Sequence, residues 1–91
     1  MKEQVFDNVW DALCNTREEA EHMTLKSDLL IEVERAVNGW NITQSAAAER
    51  LGITQPRLND LLRGRISRFS LEALVDLASR AGLKVKLSVS A

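Results

Sequence analysis

Two neighbouring stretches of this sequence, "TQSAAAERLG" and "TQPRLNDLLRG", each begin with a threonine and end with a glycine. Thr43 and Thr54 are predicted N-caps, because a threonine hydroxyl accepts a hydrogen bond from a free amide in the first turn of a helix. Gly52 and Gly64 are predicted stops, because glycine takes the left-handed conformation that closes many helices. The sequence therefore predicts two short helices joined by a tight turn, which limits the folds available to the chain.

The apolar residues of both stretches are placed so that the two helices can pack against each other. Two short helices cross closely only where a small side chain lies between them, and Ala48 is such a residue. In the second helix, Leu58, Leu61 and Leu62 are expected to face the first one. The opposite face then carries Pro56, Asn59, Asp60 and Arg63, with Arg57 at its edge and Gln55 at the tip of the helix.

Two further helices are predicted, one before this pair and one after it. Thr16 is the expected cap of the first, which either continues through Ser27 or restarts there. Ser70 is the expected cap of the last helix. Trp40 and Ile42 lie in the turn after the first helix, and both are expected to be buried there.

The two ends of the chain differ from this helical body, which covers residues 16–82. Residues 1–15 form an N-terminal arm whose apolar spacing fits either a helix or a short strand. Residues 83–91 alternate apolar and polar side chains, which is typical of a strand. Because a strand needs a partner, this one is expected to pair with the arm or with a second chain, and we favour a homodimer. The predicted fold is mainly all-α, with four to five helices and a short C-terminal β-strand.

Charge is unevenly distributed along the chain, although the formal net charge is only −1. Residues 1–45 contain nine acids against four bases, whereas residues 46–91 contain eight bases against four acids. Five arginines and one acid lie between residues 50 and 68. A basic half of this kind can approach a polyanion such as nucleic acid.

No set of residues indicates catalysis, a metal site or a cofactor. The single cysteine, Cys14, cannot form an intramolecular disulfide and is expected to be a small buried residue. The single histidine, His22, lies in an acidic stretch without metal-ligand spacing. No apolar run is long enough for a signal segment or a membrane span. We therefore expect a cytoplasmic protein that is not an enzyme, binds no cofactor and has no membrane partner.

The segment "TQSAAAERLGITQPRLNDLLRG" resembles the helix-turn-helix domains of phage repressors and of the Xre-like regulators. The resemblance runs from roughly Leu29 to Gly82. The second helix, the "SRFS" linker and the terminal strand are most similar to small antitoxins of the HigA kind. The resemblance implies a lambda-repressor-like fold, a homodimer, a double-stranded DNA operator and, in the HigA group, a RelE- or HigB-like ribonuclease toxin as partner. Pro56 departs from many phage repressors, because proline offers no amide to a phosphate.

The resemblance also implies roles for individual residues in DNA binding. Glutamines at the matching starts of the two helices commonly bind a phosphate and read a base, which assigns these roles to Gln44 and Gln55. Residues 55–63 would be the recognition helix, whose side-chain types suit the major groove: Asn and Gln bind adenine, Arg binds guanine and Asp accepts from cytosine. The predicted DNA-binding residues are Gln44, Thr54, Gln55, Arg57, Asn59, Arg63, Arg65 and Arg68.

Two questions stay open at the level of sequence. The arginines of the second helix and its flank could instead lie in solvent or pair with Asp60 and Glu72. The domain would then be a protein-interaction module without specific DNA binding. The acidic stretch "REEAEHMTLKSDLLIEVE" fits a basic toxin as partner, but it also fits an ordinary scaffold helix with a solvated face.

Overall fold

The computed structural model describes residues 16–91, and the predicted N-terminal arm, with Cys14, lies outside this range. The regular structure of the described part consists of four α-helices and one short 3-10 turn. The helices are α1 (Arg17–Gly39), α2 (Gln44–Leu51), α3 (Gln55–Leu62) and α4 (Leu71–Arg80), and the 3-10 turn covers Ile66–Arg68. The prediction of a mainly helical fold is therefore confirmed for this part of the chain.

Each of the four helices begins at the side-chain cap that the sequence predicts. The hydroxyls of Thr16, Thr43, Thr54 and Ser70 each accept a hydrogen bond from the amide three residues later, at 3.0 to 3.3 Å. Such a cap stabilises a helix by about 1 kcal/mol, because it satisfies an amide that has no partner within the helix. The caps fix where α2 and α3 begin, and thereby which side chains occupy their first turns.

The helix ends also follow the glycine pattern. Gly52 follows α2 with a φ of 70°, and its amide donates to the carbonyl of Glu49 at 3.0 Å. Gly64 has a φ of 72°, and α3 ends one residue earlier than predicted, with Arg63 as its C-cap. α1 is continuous through Ser27 and does not restart there.

A single apolar core holds the four helices together. α1 packs against α4, α2 packs against α3, and α3 also contacts α1. Ala48 is 3% exposed, as expected of a small residue where two helices meet. The largest fully buried side chains are Val33, Leu51, Leu58, Leu61, Phe69 and Leu74. α3 is thus held from one side by its leucines, and its other sides face away from the core.

The segment between α3 and α4 contributes to this core, although from the sequence it is expected to be a linker. Ile66 is 7% exposed and Phe69 is 1% exposed. Residues three apart lie on the same side of a 3-10 turn, so both side chains point inward together. The turn also brings Arg65 and Arg68 next to α3.

The burial of Ile42 is a wrong prediction, since 44% of this residue is exposed. Asn41 has a φ of 54°, a left-handed conformation that turns the chain between Trp40 and Ile42. Trp40 is half-buried and packs against the core. The guanidinium carbon of Arg50 lies 4.0 Å from the centroid of its ring. One aromatic residue therefore covers this corner, and the isoleucine lies at the surface.

The C-terminal segment, residues 83–91, has no regular secondary structure, and the described part of the chain contains no strand. Leu83 packs against the core, and its amide donates to the carbonyl of Ala78 at 2.9 Å. Beyond it, Val85, Leu87 and Val89 are 44%, 82% and 83% exposed. The strand stays a prediction, since both of its proposed pairing partners lie outside the described single chain.

Candidate nucleic-acid interface

α3 presents three different sides to its surroundings. The underside carries Leu58 and Leu61, both 0% exposed, and the half-buried Leu62 next to them. This packing confirms the predicted orientation of the helix. Because an α-helix has 3.6 residues per turn, fixing the leucines inward also fixes which polar side chains point outward.

One outward row consists of Gln55, Asn59 and Arg63, which are four residues apart and which we call the open row. Gln55 and Arg63 are exposed, and Asn59 is half-buried. None of these three side chains has a hydrogen bond, an ion pair or a ring contact with any residue in 16–91. Their amide and guanidinium groups are therefore available to a ligand.

The starts of α2 and α3 provide two more of the predicted contacts. Gln44 is the first residue of α2, and it is exposed. Thr54 is exposed as well, and its hydroxyl accepts from the amide of Arg57 at 3.3 Å. Helix N-termini attract anions, because their free amides and the helix dipole place positive charge there. Pro56 removes one of these amides from α3, as the sequence indicates.

Arg57 is directed toward the connection between α3 and α4. Its Nη1 donates to the backbone carbonyl of Arg68 at 2.6 Å, and its guanidinium carbon lies 4.0 Å from the centroid of the Phe69 ring. The residue is half-buried. In this conformation the guanidinium holds the 3-10 turn against α3, so its predicted contact with DNA stays a prediction.

Asp60 also points toward the 3-10 turn. Its Oδ1 accepts from Nη1 of Arg68 at 3.0 Å and from Nη1 of Arg65 at 3.4 Å. Its side chain is only 18% exposed. Two arginines brought close by the 3-10 turn thus bind one oxygen of this carboxylate, and a contact of Asp60 with cytosine stays a prediction. We call Arg57 and Asp60 the held pair.

Arg65 and Arg68 fit both alternatives that the sequence leaves open, which are pairing with an acid of the chain and binding to DNA phosphates. They do pair with Asp60, yet 41% and 54% of their side-chain surfaces remain exposed. A guanidinium has five N–H donors, and each of these two ion pairs uses one nitrogen. Both residues therefore retain donors that can reach a phosphate. Glu72 forms no ion pair with a described residue.

Sequence reasoning missed the role of Arg80 in fixing the turn between α2 and α3. Its Nη1 donates to the carbonyl of Leu51 at 3.0 Å. A methyl group added at Gly52 would lie 3.3 Å from the same Nη1. Leu51 and Arg80 are 29 positions apart in the chain, so no local sequence pattern indicates this hydrogen bond.

Two other features are absent from residues 16–91. No group of three or more His, Cys, Asp or Glu residues in this range could hold a metal ion. None of the helices that the structure describes is long and apolar enough to cross a membrane. The open row, in contrast, carries polar side chains that have no partner among residues 16–91.

Comparison with known proteins identifies the family. A family model described as "Helix-turn-helix domain" matches residues 15–90, which is nearly the whole chain. No curated protein matches it. A domain of this type indicates a DNA-binding regulator, and α2, α3 and the turn of residues 52–54 correspond to the motif that gives it its name. The chain belongs to the helix-turn-helix domain family.

Proposed function

We propose that this protein is a dimeric, sequence-specific transcriptional repressor whose α3 enters the major groove of a double-stranded DNA operator. The observation that carries this proposal is the open row. Gln55, Asn59 and Arg63 present amide and guanidinium groups on the side opposite the core, and these groups have no partner among residues 16–91. Amides bind adenine and guanidinium groups bind guanine through paired hydrogen bonds in the major groove.

The groups around the open row are suited to phosphates. Gln44 and Thr54 lie at helix starts, and Arg65 and Arg68 follow α3 with much of their surface exposed. Phosphate contacts position a protein on the duplex, whereas base contacts determine the sequence that it prefers. We assign the open row to the bases and these four residues to the backbone.

A titration with duplex DNA tests this assignment. A duplex enriched from a randomised pool by the wild-type protein is bound by wild type, Asn59→Ala and Asn38→Ala in a mobility-shift assay. Asn38 is exposed at the end of α1, and its side chain has no hydrogen bond with any residue in 16–91, so it is a matched control. We expect only Asn59→Ala to weaken binding. Equal affinity of all three proteins would contradict the groove assignment.

The alternative is a protein-interaction module of the same fold without specific DNA binding. The contacts of the arginines favour this alternative, because Arg57, Arg65 and Arg68 all make hydrogen bonds within the chain. The enrichment step that precedes the titration separates the two functions. A module of this kind would bind every duplex in the pool equally, so that no sequence is enriched.

We also propose that residues 83–91 are a dimerisation segment, distinct from the domain of residues 16–82. The support is the exposure of Leu87 and Val89, whose alternation with polar residues suits pairing with the same segment of a second chain. Light scattering of the full chain and of a chain lacking residues 84–91 tests this. We expect a dimer and a monomer respectively, and an unchanged mass would contradict strand-mediated pairing.

The narrower proposal is that the protein is a cytoplasmic, HigA-type antitoxin that represses its own operon. The support is the outward side of α1, which is opposite its buried residues and is mainly acidic. It includes Glu18, Glu21, Leu25, Asp28 and Glu32, and 43% of Leu25 is exposed. Glu21 and Glu32 form exposed ion pairs with Arg17 and Arg35, whereas Glu18 and Asp28 have no ion pair with a described residue. A basic RelE- or HigB-like ribonuclease toxin would find both charge complementarity and an apolar contact there.

Co-purification with a basic protein encoded beside this one tests the antitoxin proposal. We expect Asp28→Lys to weaken the complex, because it reverses a charge at the centre of the acidic side. Glu72→Lys, the same reversal at an exposed residue of α4, is the control. The absence of any complex with the wild-type protein, or an equal loss in both variants, would contradict it.

A further inference from the structure

Asp60 stands at a position where its charge is unfavourable to the helix that carries it. It lies in the last turn of α3, and α3 has no basic residue in that turn. The C-terminal end of a helix carries partial negative charge, so a carboxylate there is repelled by the free carbonyl groups. The presence of an acid at this position is explained by its contacts with Arg65 and Arg68, which follow the helix.

The geometry of these contacts places the negative charge beneath two positive ones. The Asp60 side chain is 18% exposed, whereas those of Arg65 and Arg68 are 41% and 54% exposed. Both guanidinium groups bond to the same oxygen, Oδ1. The three side chains carry a net charge of +1, while the arginines alone would carry +2. An approaching phosphate thus meets a partly neutralised surface.

The backbone at this site is held independently of the Asp60 carboxylate. Nη1 of Arg57 binds the carbonyl of Arg68, and the Phe69 side chain is buried in the core. The amide of Arg65 donates to the backbone carbonyl of Asp60 at 3.0 Å. Replacing the carboxylate by an amide therefore changes the charge of the cluster, and the 3-10 turn keeps its backbone and core contacts.

We infer that Asp60 limits the affinity of this protein for DNA of arbitrary sequence and thereby raises its selectivity. It does so by holding Arg65 and Arg68 in place while offsetting half of their charge. This inference rests on the proposed function and deepens it, because it names the residue that balances phosphate binding against base reading. Non-specific affinity depends chiefly on neutralised phosphates, so one carboxylate at the rim affects it directly.

Asp60→Asn tests this inference by removing the charge while keeping the shape of the side chain. We expect it to bind a short duplex of randomised sequence several-fold more tightly than wild type at low salt. The dependence of log K on log salt should steepen by about one unit, as for one additional phosphate contact. The ratio of specific to non-specific affinity should fall. Unchanged or weaker binding of the randomised duplex would overturn the inference.

Two control variants separate charge from shape and from position. Asp60→Glu retains the charge and is expected to bind the randomised duplex like wild type. Asp28→Asn removes one negative charge on α1, and it is expected to leave the salt dependence unchanged. An equal effect of Asp28→Asn and Asp60→Asn would show that only net charge matters, which overturns a local role for Asp60.

A second measurement does not depend on the folding of the Asp60 variants. Arg65 shares its charge with Asp60. We therefore expect Arg65→Gln to flatten the dependence of log K on log salt, measured with the randomised duplex, by less than the full unit of an unshared phosphate contact. A loss of a full unit or more would overturn the inference. A wild-type protein that binds no duplex at low salt would overturn the proposed function as well. A wild-type protein with clear sequence preference, but without the Asp60 effects, would overturn the inference alone.

Discussion

The open row and the held pair lie on the same two turns of α3, yet only the side chains of the held pair are bonded to other residues of the described chain. The side chains of Gln55, Asn59 and Arg63 make no hydrogen bond, ion pair or ring contact within the described chain, whereas Arg57 and Asp60 are bonded to the 3-10 turn that follows. Residue type alone does not separate the groups, because each contains an arginine. The difference shows that free binding groups on a short helix are determined by what packs beside it.

The largest expected effect comes from removing the packing that orients both groups. Leu58→Ala should lower the free energy of unfolding by about 2–5 kcal/mol, because it leaves a cavity under α3. Leu62→Ala should cost less, since Leu62 is only half-buried. Thermal or chemical denaturation measures both. An equal loss in the two variants would contradict the orientation of α3.

The second effect concerns the open row. Arg63→Ala should weaken binding of the enriched duplex by about 1–3 kcal/mol, the value of one paired contact with guanine. It should leave the free energy of unfolding almost unchanged, because Arg63 is exposed and its side chain makes no hydrogen bond or ion pair with a described residue. Arg35→Ala, at an exposed position of α1, is the control in the same mobility-shift assay. Equal affinity of both variants would remove Arg63 from the interface.

The third effect concerns the held pair. In contrast to the second, it should change the free energy of unfolding and leave the preferred DNA sequence unchanged. Arg57→Ala should lower the free energy of unfolding by about 1–2 kcal/mol, because it removes a charged hydrogen bond and a stacking contact with Phe69. Arg57→Lys should recover part of this loss. Both variants should bind all duplexes less tightly without a change of preferred sequence. An altered base preference would mean that the Arg57 side chain moves away from the Phe69 ring and contacts a base.

The smallest effect separates capping from phosphate binding at Thr54. Aspartate is also a good N-cap, so Thr54→Asp should keep the free energy of unfolding within about 0.5 kcal/mol of wild type. Its negative charge should nevertheless weaken DNA binding. Thr16→Asp makes the same change at the cap of α1 and should leave binding intact. If Thr54→Asp also binds like wild type, no phosphate lies at the start of α3.

The sequence predicts the helices and their order because the information for them is local. Each cap lies three residues before the amide that it binds, and Gly52 closes α2 within its own turn. The inward direction of Leu58 and Leu61 follows from helical spacing, and it places the open row correctly on the outward side.

The contacts of the held pair could not be predicted in the same way. They depend on a 3-10 turn that places Arg68 beside residues eight and eleven positions earlier. A signal was present, since Ile66 and Phe69 are apolar residues three apart and both are buried. Without that turn, Asp60 is indistinguishable from a free acceptor. The exposure of Ile42 is hard to predict for a similar reason, because the left-handed conformation of Asn41 is not evident from the residue types around it.

The most direct test of this account is selection from a randomised duplex pool by wild type, Asn59→Ala and Arg57→Ala in parallel. We predict that Asn59→Ala loses a preference at one base pair of each half-site. Arg57→Ala should enrich the same sequences as wild type with lower affinity. The account is contradicted if Asn59→Ala keeps the wild-type preference, or if Arg57→Ala is the variant that changes it.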